Sequence, residues 1–122
     1  ADGLPVSFLG RASREKTELL LRAADLFVQA STREVCGVAA LEAFATGTPS
    51  VLSDIPSFRR MTADGTVGRI FPVGDSAAMG AAIAASNYAD VRERVRDRFD
   101  RALSFDALAR SVSGVYAALG ER

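Results

Sequence analysis

The chain has 122 residues, of which 48% are hydrophobic, enough for one domain with a core but too few for two. Fifteen basic and 15 acidic residues give a formal net charge of zero, which argues against a nucleic-acid-binding protein because such proteins carry a basic excess. Histidine is absent and Cys36 is the only cysteine. We therefore expect no His-based catalysis, no internal disulfide, no bound metal and no cofactor.

The same features set an expectation for the compartment. A lone cysteine favours a reducing environment, so we expect a cytoplasmic protein, including the inner face of the membrane. No apolar run is long enough for a transmembrane segment. The chain begins Ala1-Asp2-Gly3 without Met, which indicates a piece of a longer protein.

Short apolar segments alternate with segments of helical periodicity along the first two thirds of the chain. The predicted strands are Val6–Leu9, Asp25–Ala30, Ser50–Ser53 and Gly68–Phe71. The predicted helices are Glu15–Ala24, Val38–Thr46, a short turn over Phe58–Met61, and a segment from the cap Asp75 to Ala85. This alternation predicts an α/β fold, a Rossmann-like parallel sheet of about four strands with helices on both faces.

The last third predicts two further helices. The first, Asp90–Leu103, has Val91, Val95, Phe99 and Leu103 on one stripe, with five arginines between acidic residues. A solvated surface helix is the expected role for it, and a phosphate-binding role is the alternative. Ser104 precedes a final helix with its own apolar stripe, Leu108, Val112, Val115 and Leu119, which indicates contact beyond the domain's own core.

Two acidic residues flank the start of the predicted helix Val38–Thr46. Glu34 follows a predicted strand, and Glu42 lies about 6 Å along the axis from the first helical turn. A helix N-terminus binds anions through free N–H groups, whereas carboxylates accept hydrogen bonds from hydroxyls. Gly37 leaves room for a ligand to approach the backbone. The pattern favours a ligand with both phosphate and hydroxyl groups, such as a nucleotide-sugar.

Each of these residues also has a purely structural interpretation. In that interpretation Glu34 stabilises the helix dipole, Glu42 forms a salt bridge with an arginine, and Gly37 is only a turn residue. Cys36 fits a small buried hydrophobic residue better than a reactive thiol. Arg11 and Arg14 are either ligand contacts or solvated side chains, with the second favoured. Together, at the carboxyl end of a strand, the acidic residues favour a ligand site.

The order of motifs resembles the C-terminal, donor-binding domain of family-4 ("group 1") glycosyltransferases of the GT-B fold. The resemblance covers residues 1–122 and indicates the later part of that domain. The motifs are Val6–Gly10, Ala24–Val28, Ser31, Glu34-x-x-Gly37, Leu41-Glu-Ala43, Gly47-Thr-Pro49, Gly68–Asp75 and Ser104-Phe105.

The resemblance implies a retaining transfer of a sugar from a UDP- or GDP-linked donor, which is a substrate rather than a cofactor, without a tightly bound metal. It implies that Glu34 contacts the donor sugar and that Glu42 accepts both ribose hydroxyls. The resemblance assigns the sugar hydroxyls and the diphosphate to the N–H groups of Cys36, Gly37, Val38 and Ala39. It places Gly10 and Arg11 near the base.

The chain also departs from the family pattern. Val35 and Cys36 replace a small residue or Pro followed by Phe, Pro56-Ser57 replace Gly-Gly, and Arg60 replaces a Glu. The family's upstream βαβ unit, with an Arg and a Lys that neutralise the diphosphate, is not in this sequence, and neither is the N-terminal acceptor-binding domain. Lys16 is the only lysine. We therefore expect this piece to be inactive alone.

The leading hypothesis is thus the donor-binding part of a bacterial retaining glycosyltransferase with an unknown acceptor. The alternative is a non-enzymatic α/β binding or assembly module, whose last helix docks on a partner chain or on a second copy. The two hypotheses are compatible, because exposed apolar surface favours self-association.

Overall fold

The computed structural model describes residue 3, residues 5–85 and residues 90–120. Its strands are β1 (Phe27–Gln29), β2 (Ser50–Ser53) and β3 (Arg69–Phe71). Its helices are α1 (Arg14–Ala23), α2 (Val38–Ala45), α3 (Pro56–Met61), α4 (Ser76–Ala84), α5 (Arg92–Arg98), a π-helical segment (Phe99–Leu103) and α6 (Phe105–Gly120). The strands form one parallel sheet in the order β1-β2-β3, so the predicted α/β fold is confirmed.

The predicted first strand, Val6–Leu9, is not a strand in the structure. Residues 5–10 are irregular and exposed, and Phe8 is 96% accessible to solvent. A strand needs a neighbour for its backbone hydrogen bonds, and among the described residues this segment pairs with no strand. The described residues form three strands, so the predicted total of about four is not confirmed.

At the central strand β2, both faces of the sheet are buried. All four of its residues are buried, and successive side chains of a strand point to opposite faces. Leu52 packs in a cluster with Phe44 of α2 and Phe58 of α3, and Val51, on the opposite face, is also fully buried. Both faces are therefore covered, as a parallel sheet requires.

Helix α2 begins where the sequence predicted, and it is buried on one side only. Ala40, Ala43 and Phe44 face the core, whereas Val38 is 63% accessible and Ala39 is exposed. The exposed residues lie at the N-terminus of the helix, which is the end that follows the carboxyl end of β1. Helix α2 therefore packs on the core through one set of residues, while its first residues are exposed to solvent.

The arginines of α5 have a structural role that was not predicted from the sequence. Besides reaching solvent, they donate to backbone carbonyls at the C-terminal ends of three helices, where the helix dipole is negative. The pairs are Arg92 with Ala24 O after α1, Arg96 with Ala45 O of α2 at 2.6 Å, and Arg98 with Met61 O of α3 at 3.2 Å. Helix α5 thus forms hydrogen bonds to the C-terminal ends of α1, α2 and α3.

One glycine at the start of α2 is required by both conformation and packing. Gly37 has a φ of 71°, in the left-handed region that favours glycine. A Cβ there would lie 2.6 Å from Cε1 of the fully buried Phe58. The space beside Gly37 therefore belongs to the core, rather than being kept open for a ligand as the sequence analysis expected.

Gly37→Ala should lower the free energy of unfolding by about 2–4 kcal/mol, because it adds left-handed strain and displaces a packed ring. Urea denaturation measures the change. The matched control is Gly80→Ala in α4, where a Cβ meets nothing within 4 Å and which should raise stability by roughly 0.5–1 kcal/mol. Equal losses for the two variants would contradict the assigned role of the Phe58 contact.

Candidate functional site

The segment between β1 and α2 lies at the carboxyl end of a parallel strand, the edge at which open α/β sheets bind ligands. Its residues 35 and 36 are exposed, and Val35 reaches 98% accessibility. Cys36 is therefore not the buried hydrophobic residue that the sequence predicted. This exposed turn directly precedes the N-cap residue of α2.

The N-terminus of α2 has no side-chain cap. Gly37 is the N-cap residue and makes no side-chain hydrogen bond, whereas Ser13 and Asp75 cap α1 and α4 and Ser104 accepts from the N–H of Ala107 in α6. Within the described residues, the first N–H group of the segment 36–41 that has an acceptor is that of Leu41, which donates to Gly37 O at 3.0 Å. The N–H groups of residues 36–39 thus have no acceptor among the described residues, and such groups at a helix start are able to bind an anion.

The carboxylate of Glu34 is held beside this turn by two neighbours. Gln29 Nε2 donates to Glu34 Oε1 at 2.9 Å, and Ser31 Oγ donates to the same oxygen at 3.0 Å. Gln29 Nε2 also lies 3.0 Å from Ser31 Oγ, which accepts from it. We call Gln29, Ser31 and Glu34 the carboxylate triangle. In the described part of the chain, Glu34 is not paired with an arginine.

Glu42 lies in a different setting, one helical turn into α2. Its side chain is exposed, makes no ion pair with a described residue, and faces a cavity of about 270 Å³ between α1 and α2. We call this the Glu42 cavity. It is lined by Arg14, Thr17, Glu18, Leu21, Arg22, Glu42, Ala45, Thr46 and Arg96.

The charges of the Glu42 cavity are partly neutralised by ion pairs. Arg22 binds Glu18 at 2.8 Å, and Arg96 binds Asp100 at 2.9 Å. The hydrogen bond to Asp100 raises the pKa of Arg96, and the same bond lowers the pKa of Asp100. Arg14 has no ion pair with a described residue, so it is the arginine of this cavity whose charge is open to a ligand.

Of the predicted site residues, those between 34 and 42 share one turn and the start of one helix. Gly10 and Arg11 are exposed in the irregular segment before α1, with Gly10 at a φ of 62°. Neither lines the Glu42 cavity, whereas Arg14, which the sequence analysis favoured as solvated, does.

Sequence reasoning gave no role to Gln29. The available signal was its place at the end of a strand, five positions before Glu34 and in otherwise apolar surroundings. A second depression, of about 190 Å³, was also not foreseen. It lies at the carboxyl ends of β1 and β3, with Ala30, Thr32, Phe71, Gly74, Asp75, Ser76 and Met79 around it.

Fold and site together define a parallel α/β domain with an uncapped helix and a hydrogen-bonded carboxylate at the carboxyl end of β1. Residues 4–97 match the family model described as "Glycosyl transferases group 1". The chain belongs to this family of glycosyltransferases.

Named relatives agree with this assignment. The chain is 41% identical over 91 residues to the phosphatidyl-myo-inositol mannosyltransferase of Mycobacterium leprae, which is 73% of this chain and 24% of that protein. The corresponding enzyme of Mycolicibacterium smegmatis is 39% identical over 62% of this chain and 20% of its own length. The alpha-monoglucosyldiacylglycerol synthase of Streptococcus pneumoniae is 35% identical over 54% of this chain and 15% of its own length. The chain thus spans a quarter or less of each relative.

None of the helices in the described ranges combines the length and the hydropathy that a bilayer crossing requires.

Proposed function

We propose that this chain is the donor-binding part of a retaining glycosyltransferase that takes a sugar from a UDP- or GDP-linked donor. The observation that supports this most strongly is the uncapped N-terminus of α2 beside the fixed carboxylate of Glu34. Amide N–H groups suit the diphosphate, and carboxylates suit the hydroxyls of the two sugars.

In this proposal each residue has one task. The N–H groups of residues 36–39 bind the diphosphate and sugar hydroxyls. Glu34 contacts the donor sugar close to its anomeric carbon, and Glu42 accepts the ribose hydroxyls from within its cavity. Gly10 and Arg11 lie near the base, as the family resemblance implies. Arg14 supplies positive charge on the Glu42 side.

The names of the relatives extend the proposal to the sugar and the acceptor. Two are mannosyltransferases of a phosphatidyl-inositol, and the third is a synthase of a glucosylated diacylglycerol. We therefore propose mannose or glucose as the transferred sugar and a lipid as the acceptor, with the enzyme working at the inner face of the membrane.

Substitution of the two acidic residues in the full-length enzyme tests the proposal. Glu34→Ala should lower kcat about 100-fold or more, because it removes a contact to the reacting sugar. Glu42→Ala should raise the donor KM roughly 10- to 100-fold through lost ribose hydrogen bonds. Steady-state kinetics with UDP- and GDP-linked mannose and glucose measure both effects, and NMR of the product reports the anomeric configuration.

The matched control for these variants is Glu93→Ala, an exposed acidic residue in the first turn of α5. It should leave both kinetic parameters unchanged. Normal kinetics in both Glu34→Ala and Glu42→Ala would overturn the proposed site, and a product of inverted configuration would overturn the retaining mechanism.

We propose also that residues 1–122 alone are inactive. Two carboxylates flank the open amides, and the family resemblance places the neutralising Arg and Lys upstream. A diphosphate held without these cations binds poorly. Isothermal titration of this chain with the same donors should give a Kd weaker than about 1 mM. A low-micromolar Kd, or any turnover, would contradict this.

A second candidate function, self-association, is favoured by the surface of α6. This helix leaves a row of apolar side chains exposed, namely Phe105 at 90%, Leu108 at 58%, Val112 at 45%, Val115 at 59%, Tyr116 at 72% and Leu119 at 60%. An exposed apolar row of this kind marks a contact surface in many proteins.

Light scattering after size exclusion tests self-association over a range of concentrations. The dimer fraction should rise with concentration, and Val112→Glu should reduce it because a charge at the contact is costly. Ser113→Glu adds the same charge at a position outside the apolar row and should leave the dimer intact. A monomer at every concentration would exclude this function.

A further inference from the structure

Within the carboxylate triangle, one of the two carboxylate oxygens of Glu34 accepts hydrogen bonds and the other accepts none. Both hydrogen bonds to Glu34, from Gln29 and from Ser31, end on Oε1. Among the described residues, no donor reaches Oε2. A carboxylate with one oxygen fixed by two donors has a defined orientation, so the second oxygen points in a defined direction.

The chemistry of the triangle also fixes which end of the Gln29 amide faces Glu34. An ionised carboxylate only accepts hydrogen bonds, so the amide nitrogen must face it. The amide oxygen of Gln29 is then buried and has no partner among the described residues. Leaving a buried acceptor unpaired is unfavourable, and the fold retains this arrangement at the edge where ligands bind. Local conflicts of this kind are expected at functional sites rather than in a purely structural core.

The triangle is built on the sheet rather than on a free loop. Gln29 is the last residue of β1 and lies opposite Leu52 of the buried strand β2. The carbonyl of Ser31 accepts from the hydroxyl of Ser53 at the end of β2. Two strands therefore hold the donors that orient Glu34, and a group on rigid elements is placed more accurately than a group on a loop.

We propose that Gln29, supported by Ser31, is a positioning residue that aims Glu34 Oε2 at the donor sugar. This inference rests on the proposed function, in which Glu34 contacts the reacting sugar. Gln29 itself touches no substrate. Its amide nitrogen keeps the carboxylate in the orientation that favours the transition state, so its loss affects the reaction more than donor binding.

Two substitutions in the full-length enzyme test the proposal. Gln29→Met keeps the volume and removes both donor bonds, and it should lower kcat about 10- to 100-fold with little change in donor KM. Gln29→Glu has the same shape but places an acceptor against Glu34, and it should be the more damaging of the two. Val28→Ala, on the other face of β1, is the control and should leave kcat unchanged. Thermal unfolding of each variant checks that the fold persists.

A double-variant comparison separates positioning from a structural role. In a Glu34→Ala background, Gln29→Met should have no further effect on residual kcat, because Gln29 acts through Glu34. Additive losses, or normal kcat in Gln29→Met, would overturn the inference while leaving the proposed function intact. Normal kcat in Glu34→Ala would instead overturn the proposed function.

Discussion

The contact between the ring of Phe58 and the backbone at Gly37 sets the geometry of the turn between β1 and α2. Phe58 is fully buried in the cluster that contains Phe44 and Leu52, so its ring cannot move away cheaply. Gly37 packs directly on that ring, and it is the residue before α2. The position of the ring therefore fixes the start of α2 and the direction of its first N–H groups. The arrangement of the open N–H groups is thus a consequence of core packing.

The N-terminal and C-terminal ends of the helices differ in their hydrogen-bond partners. At the C-terminal ends of α1, α2 and α3, arginines of α5 bind the exposed carbonyls. At the N-terminal ends, α1 and α4 have side-chain caps, whereas α2, which begins on glycine, and also α3 and α5 have none. Since α3 and α5 also lack a side-chain cap, the missing cap alone does not distinguish the start of α2. The second feature of this helix start is the neighbouring carboxylate of Glu34, which Gln29 and Ser31 hold in place.

Local patterns were sufficient for much of the fold, while features that depend on distant segments were not predictable. Gly47 and Pro49 marked the end of α2, and the strand predicted over Ser50–Ser53 is β2 of the structure. Val6–Leu9 is more apolar, with three apolar residues of four against two of four. It nevertheless forms no strand, because pairing depends on a neighbour, which the pattern of one segment cannot reveal. The arginine contacts of α5 also escaped prediction, since each joins residues far apart in sequence. For the site, Glu34 and Glu42 were visible as a motif, but the partner Gln29 was recognisable only once its amide was placed.

The two acidic residues of the site are supported in opposite ways, and this difference agrees with the tasks proposed for them. Glu34 has one oxygen bound by two donors that are fixed by β1 and β2, so it has little freedom left to lose when it meets a ligand. Glu42 is exposed, has no ion pair among the described residues and faces a cavity of about 270 Å³. Acceleration of a reaction depends on accurate placement at the reacting carbon, whereas recognition of ribose hydroxyls tolerates adjustment of the side chain. A rigid carboxylate before α2 and an adaptable one within α2 therefore match the tasks proposed for Glu34 and Glu42.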